Sequence, residues 1–135
     1  MIPALVAAAA GWWLAGLGWT VQATAYPGFA DVPADRWTAH HGAHSRRIGW
    51  AVGPAWVVQG GATAGWLFAS FGTLSVLHAV AALGGVLLTV GWAVPVHTRL
   101  GSGFTSQLQS SLLRANAWRS VMFTASALLA TVGAA

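Results

Sequence analysis

The sequence predicts an all-α integral membrane protein, a bundle of four transmembrane helices in one domain that covers residues 1–135. Apolar residues make up 56% of the chain and charged residues only 6%, whereas a soluble domain carries about 25% charged residues. Four apolar segments follow one another, each near the roughly 20 residues that a helix needs to cross a bilayer. None alternates with a two-residue period, so helices are the expected spanning elements.

The membrane-spanning segments are expected at about residues 2–25, 48–70, 74–96 and 117–132. The first segment ends in Ala-Thr-Ala, which resembles a signal-peptidase site. It is nevertheless interpreted as a membrane helix, because no basic residue precedes it and it is long for a signal peptide. The second and fourth helices are expected to project beyond the bilayer into the loops that precede them.

Capping residues predict where those two helices begin. Asp31 or Asp35 can cap a helix that runs through the histidines, and Ser102 or Thr105 can start the fourth helix early. Proline is expected to kink the third helix, because Pro95 lacks the N–H group of a regular turn.

The two halves of the chain resemble each other, which favours two pseudo-repeated helical hairpins. Each half has a proline at the end of its first helix, Pro27 and Pro95, and a Gly-Phe pair in the following loop. Each also has a polar-x-x-Arg step that leads into its second helix. A parallel repeat with its axis along the membrane normal fits this pattern.

Charge predicts the orientation and excludes some functions. All six basic residues are arginine and lie in or beside two loops, 26–47 and 97–116. The positive-inside rule places these loops in the cytoplasm and both termini outside, in a bacterial inner (plasma) membrane. We therefore interpret the net charge of +4 as a topology signal and expect no nucleic-acid partner. The absence of cysteine and glutamate excludes a thiolate site and the usual carboxylate-bridged di-metal site.

Three histidines are candidates for catalysis or metal binding. His41, His44 and Arg47 repeat every third residue, so they are expected on one face of the second helix. His97 leaves the third helix at the same side of the membrane. Since neutral imidazole is the commonest ligand for zinc, copper and iron and also titrates near neutral pH, His41, His44 and His97 are predicted to bind a metal or act as acids and bases.

Two arginines lie deeper than the others and are candidates for binding substrate. Arg47 and Arg119 each begin an apolar run, where a buried arginine needs a partner. The candidate partners are Asn116, Tyr26 or an anionic group on a ligand. Tyr26, Arg47, Asn116 and Arg119 are therefore predicted to bind the oxygen atoms of a substrate.

Small and polar residues are expected to hold the helices together. Gly49 and Gly53 form a small-xxx-small pair of the kind that lets two membrane helices approach closely. Gln59, in the middle of the second helix, is expected to hydrogen-bond across the bundle to Thr89 or Gln22.

Four motifs resemble those of a widespread group of small four-helix bacterial membrane proteins of unassigned function. They are YPGF at 26–29, H-x-x-H-x-x-R-I at 41–48, VPVHTRLGSGF at 94–104 and NAWR at 116–119. The resemblance covers nearly the whole chain. More distantly, the chain is similar to anthrone-oxygenase-like membrane proteins, which oxidise aromatic polyketides. That similarity implies an oxygenase or related redox enzyme acting on a lipophilic substrate.

Three functions stay open at this point. The first is a membrane oxidoreductase, metal-dependent or cofactor-free, whose aromatic or quinone-like substrate enters from the lipid bilayer. The second is a haem- or quinone-binding electron carrier in which His44 and His97 clamp the haem iron. The third is a small transporter or accessory subunit without catalysis. In each case the expected partners are the bilayer and a lipophilic small molecule, and a homo-oligomer is compatible with the sequence.

Overall fold

A computed structural model describes residues 1–135, and all of its regular structure is helical. The α-helices are α1 (Ile2–Thr20), α2 (Trp37–Ala69), α3 (Thr73–Leu88), α4 (Val94–Gly101) and α5 (Ser106–Ala134). A π-helical turn joins α3 to α4, so these two form one long helix, Thr73–Gly101. The prediction of an all-α fold with four long helices is confirmed.

Proline interrupts the regular helix at two corresponding places. A π-helical turn, Val21–Ala25, ends two residues before Pro27, and another, Thr89–Ala93, ends two residues before Pro95. Proline has no N–H and its ring clashes with the carbonyl four residues earlier, which a wider turn relieves. The helix departs from α geometry before Pro95, where a kink was predicted, and the first hairpin has a matching turn.

Capping predictions were correct for one helix and wrong for another. The hydroxyl of Thr105 accepts a hydrogen bond from the backbone N–H of Leu108 at 3.2 Å, so Thr105 starts α5 as predicted. Neither Asp31 nor Asp35 caps α2, and both are exposed. The reason is that α2 continues from a 3₁₀ turn, Ala34–Arg36, whose backbone already leads into the helix.

Helix α5 lies against both α1 and α3, whereas α2 packs mainly on α1 and leaves space beside the α3–α4 helix. The backbones of α1 and α5 approach each other closely at Gly11, where an added Cβ would lie 3.1 Å from the Cα of Ala127. Gly49 and Gly53 were predicted to make such a contact, and this was wrong. An added Cβ at either would meet no atom within 4 Å, because both glycines face the space beside α2.

A buried polar network holds the bundle together near the start of α3. His78 is fully buried, with Nε2 2.8 Å from the Thr63 hydroxyl and Nδ1 2.9 Å from the Ser126 carbonyl. Gln59 donates a hydrogen bond to the Ser126 hydroxyl at 3.2 Å. Gln59 therefore bridges helices as predicted, although its partner is neither of the two residues expected.

Two helical segments, Ile2–Asp31 and Thr73–Gly101, are long and apolar enough to cross a membrane. The other two long helices do not reach the same hydropathy. The outer surface is nevertheless rich in exposed large apolar side chains, and Phe68 on α2 is 92% exposed.

We predict that Gly11→Val destabilises the fold, whereas Gly16→Val on the same helix does not. A side chain at Gly11 meets the backbone of α5, which must move away, while Gly16 faces open space. Overpacking of this kind costs about 1–3 kcal/mol. Thermal unfolding in detergent measures the difference, and equal melting temperatures for the two variants would contradict the packing described here.

Candidate functional site

A cavity of about 530 Å³ lies between α2 and the α3–α4 helix. Its α2 wall includes Ile48, Gly49, Val52 and Gly53, and the two glycines leave room because they project no side chain. The opposite wall is formed by α3–α4 and the π turn between them. The walls are mostly apolar, so the polar groups at one end stand out.

Four polar side chains from four helical segments meet at that end of the cavity. They are Tyr26 after the π turn of α1, His41 on α2, His97 on α4 and Arg119 on α5. The Nε2 atom of His41 lies 3.1 Å from Nδ1 of His97, and Nε2 of His97 lies 3.0 Å from the Tyr26 hydroxyl. Arg119 donates from Nη2 to the same hydroxyl at 3.4 Å. The four groups thus form one hydrogen-bonded row.

Asn116 holds Arg119 in place. Its Oδ1 atom accepts a hydrogen bond from Nε of Arg119 at 2.8 Å. Its Nδ2 atom donates to the Gly18 carbonyl at 2.9 Å and to Oε1 of Gln22 at 2.7 Å. Asn116 is fully buried and does not line the cavity, so it positions the arginine and ties α5 to α1.

Arg119 is a buried cation without an acidic partner. Its side chain is only 8% exposed, and the two aspartates of the chain, Asp31 and Asp35, lie exposed in the loop before α2. A guanidinium has five N–H donors. Two of them are bonded, to Asn116 and Tyr26, which leaves three without a protein acceptor.

One consistent set of donor and acceptor roles along the row places the His97 hydrogen on Nδ1. Arginine only donates, so the Tyr26 oxygen accepts from Arg119 and its O–H is free to donate to Nε2 of His97. His97 then carries its hydrogen on Nδ1 and donates to Nε2 of His41. This assignment satisfies every contact in the row and gives it one direction, from Arg119 to His41.

His44 packs beside the row without joining it. Its ring stacks on His97 with centroids 5.9 Å apart and an interplanar angle of 17°, and it meets the edge of Phe29 at 5.0 Å. Its Nε2 atom is buried and has no hydrogen-bond partner. An imidazole nitrogen in this position is a free acceptor or donor next to the row.

The two α2 histidines beside the cavity are held neutral. Burial, together with smaller contributions from the nearby His41, His40 and Arg119, lowers the pKa of His44 to about 4. Burial also lowers the pKa of His41, with a smaller contribution from His40. Both side chains therefore stay neutral near pH 7, and a negative charge that forms nearby would raise their pKa and favour their protonation.

The structure brings together six of the seven predicted site residues. His41, His44, His97, Tyr26, Asn116 and Arg119 form one cluster, in which Tyr26, His41, His97 and Arg119 line the cavity. Arg47 is exposed and lines a separate groove between α1 and α2. Arg47 does not share a helix face with His41 as predicted. Three residues advance an α-helix by about 300°, which is about 60° short of a full turn, so two such steps place Arg47 about 120° from His41 around the helix axis.

Several residues of the site were not predicted from the sequence, among them Gln22, Ser45 and Trp56. Gln22 supports Asn116, and Ser45 and Trp56 lie in the cavity wall. The Ser45 hydroxyl and the Trp56 indole N–H are buried without a hydrogen-bond partner. His41 and Ser45 are four residues apart and therefore share a face of α2. This spacing could have identified the face that lines the cavity.

The histidines are not arranged as a metal centre. No three or more His, Asp or Glu side chains lie where they could hold a metal ion. The facing nitrogens of His41 and His97 are bonded to each other, and the second nitrogen of His97 is bonded to Tyr26. The residues as placed do not form a centre for copper, iron or zinc. His44 and His97 stack on each other with ring centroids 5.9 Å apart, which leaves no space for a haem between them.

Comparison of the chain with protein-family models, curated proteins and solved structures gave no match. The resemblance to anthrone-oxygenase-like proteins therefore stays a prediction.

We predict that His44 makes the protein less stable as the pH falls. Unfolded His44 gains a proton near pH 6.5, while folded His44 resists protonation until about pH 4. Keeping the ring neutral therefore costs no free energy above pH 6.5, and the free energy of unfolding decreases progressively between pH 6.5 and about 4. Denaturant unfolding at several pH values should show this slope, and His44→Gln should reduce it. An unchanged slope in His44→Gln would contradict the burial of this ring.

Proposed function

We propose that the protein is a membrane-embedded oxidoreductase of the oxygenase type that acts on a lipophilic aromatic or quinone-like molecule. The observation that carries this proposal is the hydrogen-bonded row of Arg119, Tyr26, His97 and His41 at one end of an apolar cavity. Few convergent polar groups in an otherwise apolar pocket are typical of small-molecule sites.

The proposed membrane location is supported by composition and by the exposed surface. Two helices have the length and hydropathy of membrane spans, and the outer faces of all four long helices expose large apolar side chains. The arginines lie in or beside the loops 26–47 and 97–116. With these loops in the cytoplasm and both termini outside, the site faces the cytoplasmic side of a bacterial inner membrane.

The substrate is proposed to enter sideways from the bilayer. The cavity lies between α2 and the α3–α4 helix, and exposed apolar residues such as Trp50, Val90 and Val94 lie on the outer surfaces of these elements. A volume of about 530 Å³ falls within the range of pockets that bind compounds of a few fused rings.

The row suits removal of a proton from the substrate. A substrate O–H, or a C–H next to a ring carbonyl, can pass its proton to the Tyr26 oxygen while Tyr26 gives its own proton to Nε2 of His97. His97 then gives its Nδ1 proton to Nε2 of His41, which becomes the imidazolium. The result is an electron-rich substrate anion, the form that gives electrons most readily to an oxidant such as molecular oxygen.

Anthrone is a suitable test substrate because its oxidation balances with oxygen alone: one anthrone and one O₂ give one anthraquinone and one water. We predict that the purified protein accelerates this conversion, followed by the absorbance of the product. The His97→Gln variant keeps a side chain that can form hydrogen bonds, but it cannot pass a proton from Tyr26 to His41. We expect it to slow the oxidation by about 100-fold or more, the usual cost of losing an acid–base group.

The cavity is tested separately by filling it. Gly53→Leu projects a side chain into the cavity, whereas Gly61→Leu on the same helix projects into open space away from it. We expect Gly53→Leu to lower kcat/KM about tenfold or more, the effect of losing about 1.4 kcal/mol of transition-state stabilisation. Gly61→Leu is the matched control. If both leucines leave oxidation equally fast, the cavity is not where the substrate reacts.

A further inference from the structure

We infer that the cavity binds its ligand as an oxyanion, a phenolate or enolate, whose counter-ion is Arg119. This inference rests on the proposed function in one respect only, that the cavity is where the ligand binds. It deepens that function by naming the chemical class of ligand: a lipophilic molecule with an acidic hydroxyl or an enolisable carbonyl.

The charge balance of the site favours an anionic ligand. Arg119 is the only Lys or Arg that lines the cavity, and no Asp or Glu lines it. Its two bonded partners, Asn116 and Tyr26, are neutral groups. A buried charge is stable only when another charge or several dipoles compensate it. An anionic oxygen in the cavity would supply the charge that the chain itself lacks.

The unused hydrogen-bond donors of Arg119 also favour an anionic ligand. Three of the five guanidinium N–H groups have no acceptor in the protein, and Arg119 borders the cavity. An oxyanion accepts several hydrogen bonds at once, and hydrogen bonds between charged partners are about twice as strong as neutral ones. The Asn116 contact holds the guanidinium in place before the ligand arrives, so little reorganisation is needed.

The other titratable groups around Arg119 are compatible with this role. Tyr26 lies between Arg119 and His97, followed by His41, and His44 packs beside His97. None of them carries a negative charge that would compete for the guanidinium. When the ligand O–H breaks, its proton passes along the row to His41 and from there to water, and the electron pair stays on the ligand oxygen.

The test uses the full chain in detergent with 4-nitrophenol, whose yellow phenolate is distinguished from the neutral phenol by absorbance. The expected result is that binding lowers the pKa of the bound phenol by about one unit or more, the usual effect of a nearby opposite charge. The methyl ether of the probe, 4-nitroanisole, has no ionisable hydroxyl. At the pH where the free phenol is half ionised, a shift of one unit corresponds to about fivefold tighter apparent binding, so we expect the ether to bind about fivefold or more weakly than 4-nitrophenol.

Two variants assign the effect to Arg119. Arg119→Gln should abolish the pKa shift of the bound phenol, whereas Arg114→Gln, which removes an exposed arginine from the same helix, should keep it. If Arg119→Gln does not fold, the comparison of 4-nitrophenol with its methyl ether in the unchanged protein still tests whether the cavity prefers the oxyanion.

The outcomes separate this inference from the proposed function. If the phenol and its ether bind equally well and the pKa of the phenol is unshifted, the oxyanion inference is overturned while the cavity remains a site for neutral aromatics. If neither probe binds, and Gly53→Leu leaves anthrone oxidation unchanged, both proposals fail.

Discussion

The site depends on one constraint, a guanidinium buried in a protein that has no buried acid. Arg119 stays in place because Asn116 accepts from it and is itself bonded to the carbonyl of Gly18. That bond requires α1 and α5 to lie very close together, and Gly18 permits this because a side chain there would collide with Ser120. The same close packing brings Tyr26, which follows the π turn after α1, within hydrogen-bonding distance of the guanidinium. Helix packing and site geometry are therefore consequences of the same contacts.

The π turns before two prolines direct two members of the row, Tyr26 and His97. In both hairpins a π turn ends two residues before a proline, and Tyr26 or His97 follows within a few residues of each turn. A π turn rotates the residues that follow it relative to a continuous α-helix, which re-aims their side chains. Insertions of this kind are frequent at functional sites. The two hairpins thus use the same local device to direct a phenol and an imidazole toward each other.

Much of this could be predicted from the sequence, for identifiable reasons. Apolar runs and their spacing give the helices, and topology alone brings His41, His97, Asn116 and Arg119 to one side of the bundle. The cavity was not predictable, because Gly49 and Gly53 form the same small-xxx-small pattern whether they contact a helix or border a space. Side-chain direction was also not predictable from spacing in threes, because which face of α2 turns inward depends on how it packs on α1.

The most direct test of the account is an experimental structure of the full chain with a bound hydroxynaphthoquinone, an acidic lipophilic aromatic of suitable size. The account predicts the ligand between α2 and the α3–α4 helix, with an oxygen atom within hydrogen-bonding distance of the Arg119 guanidinium and of the Tyr26 hydroxyl. A ligand bound elsewhere on the protein, or one whose oxygen atoms point away from Arg119, would contradict it.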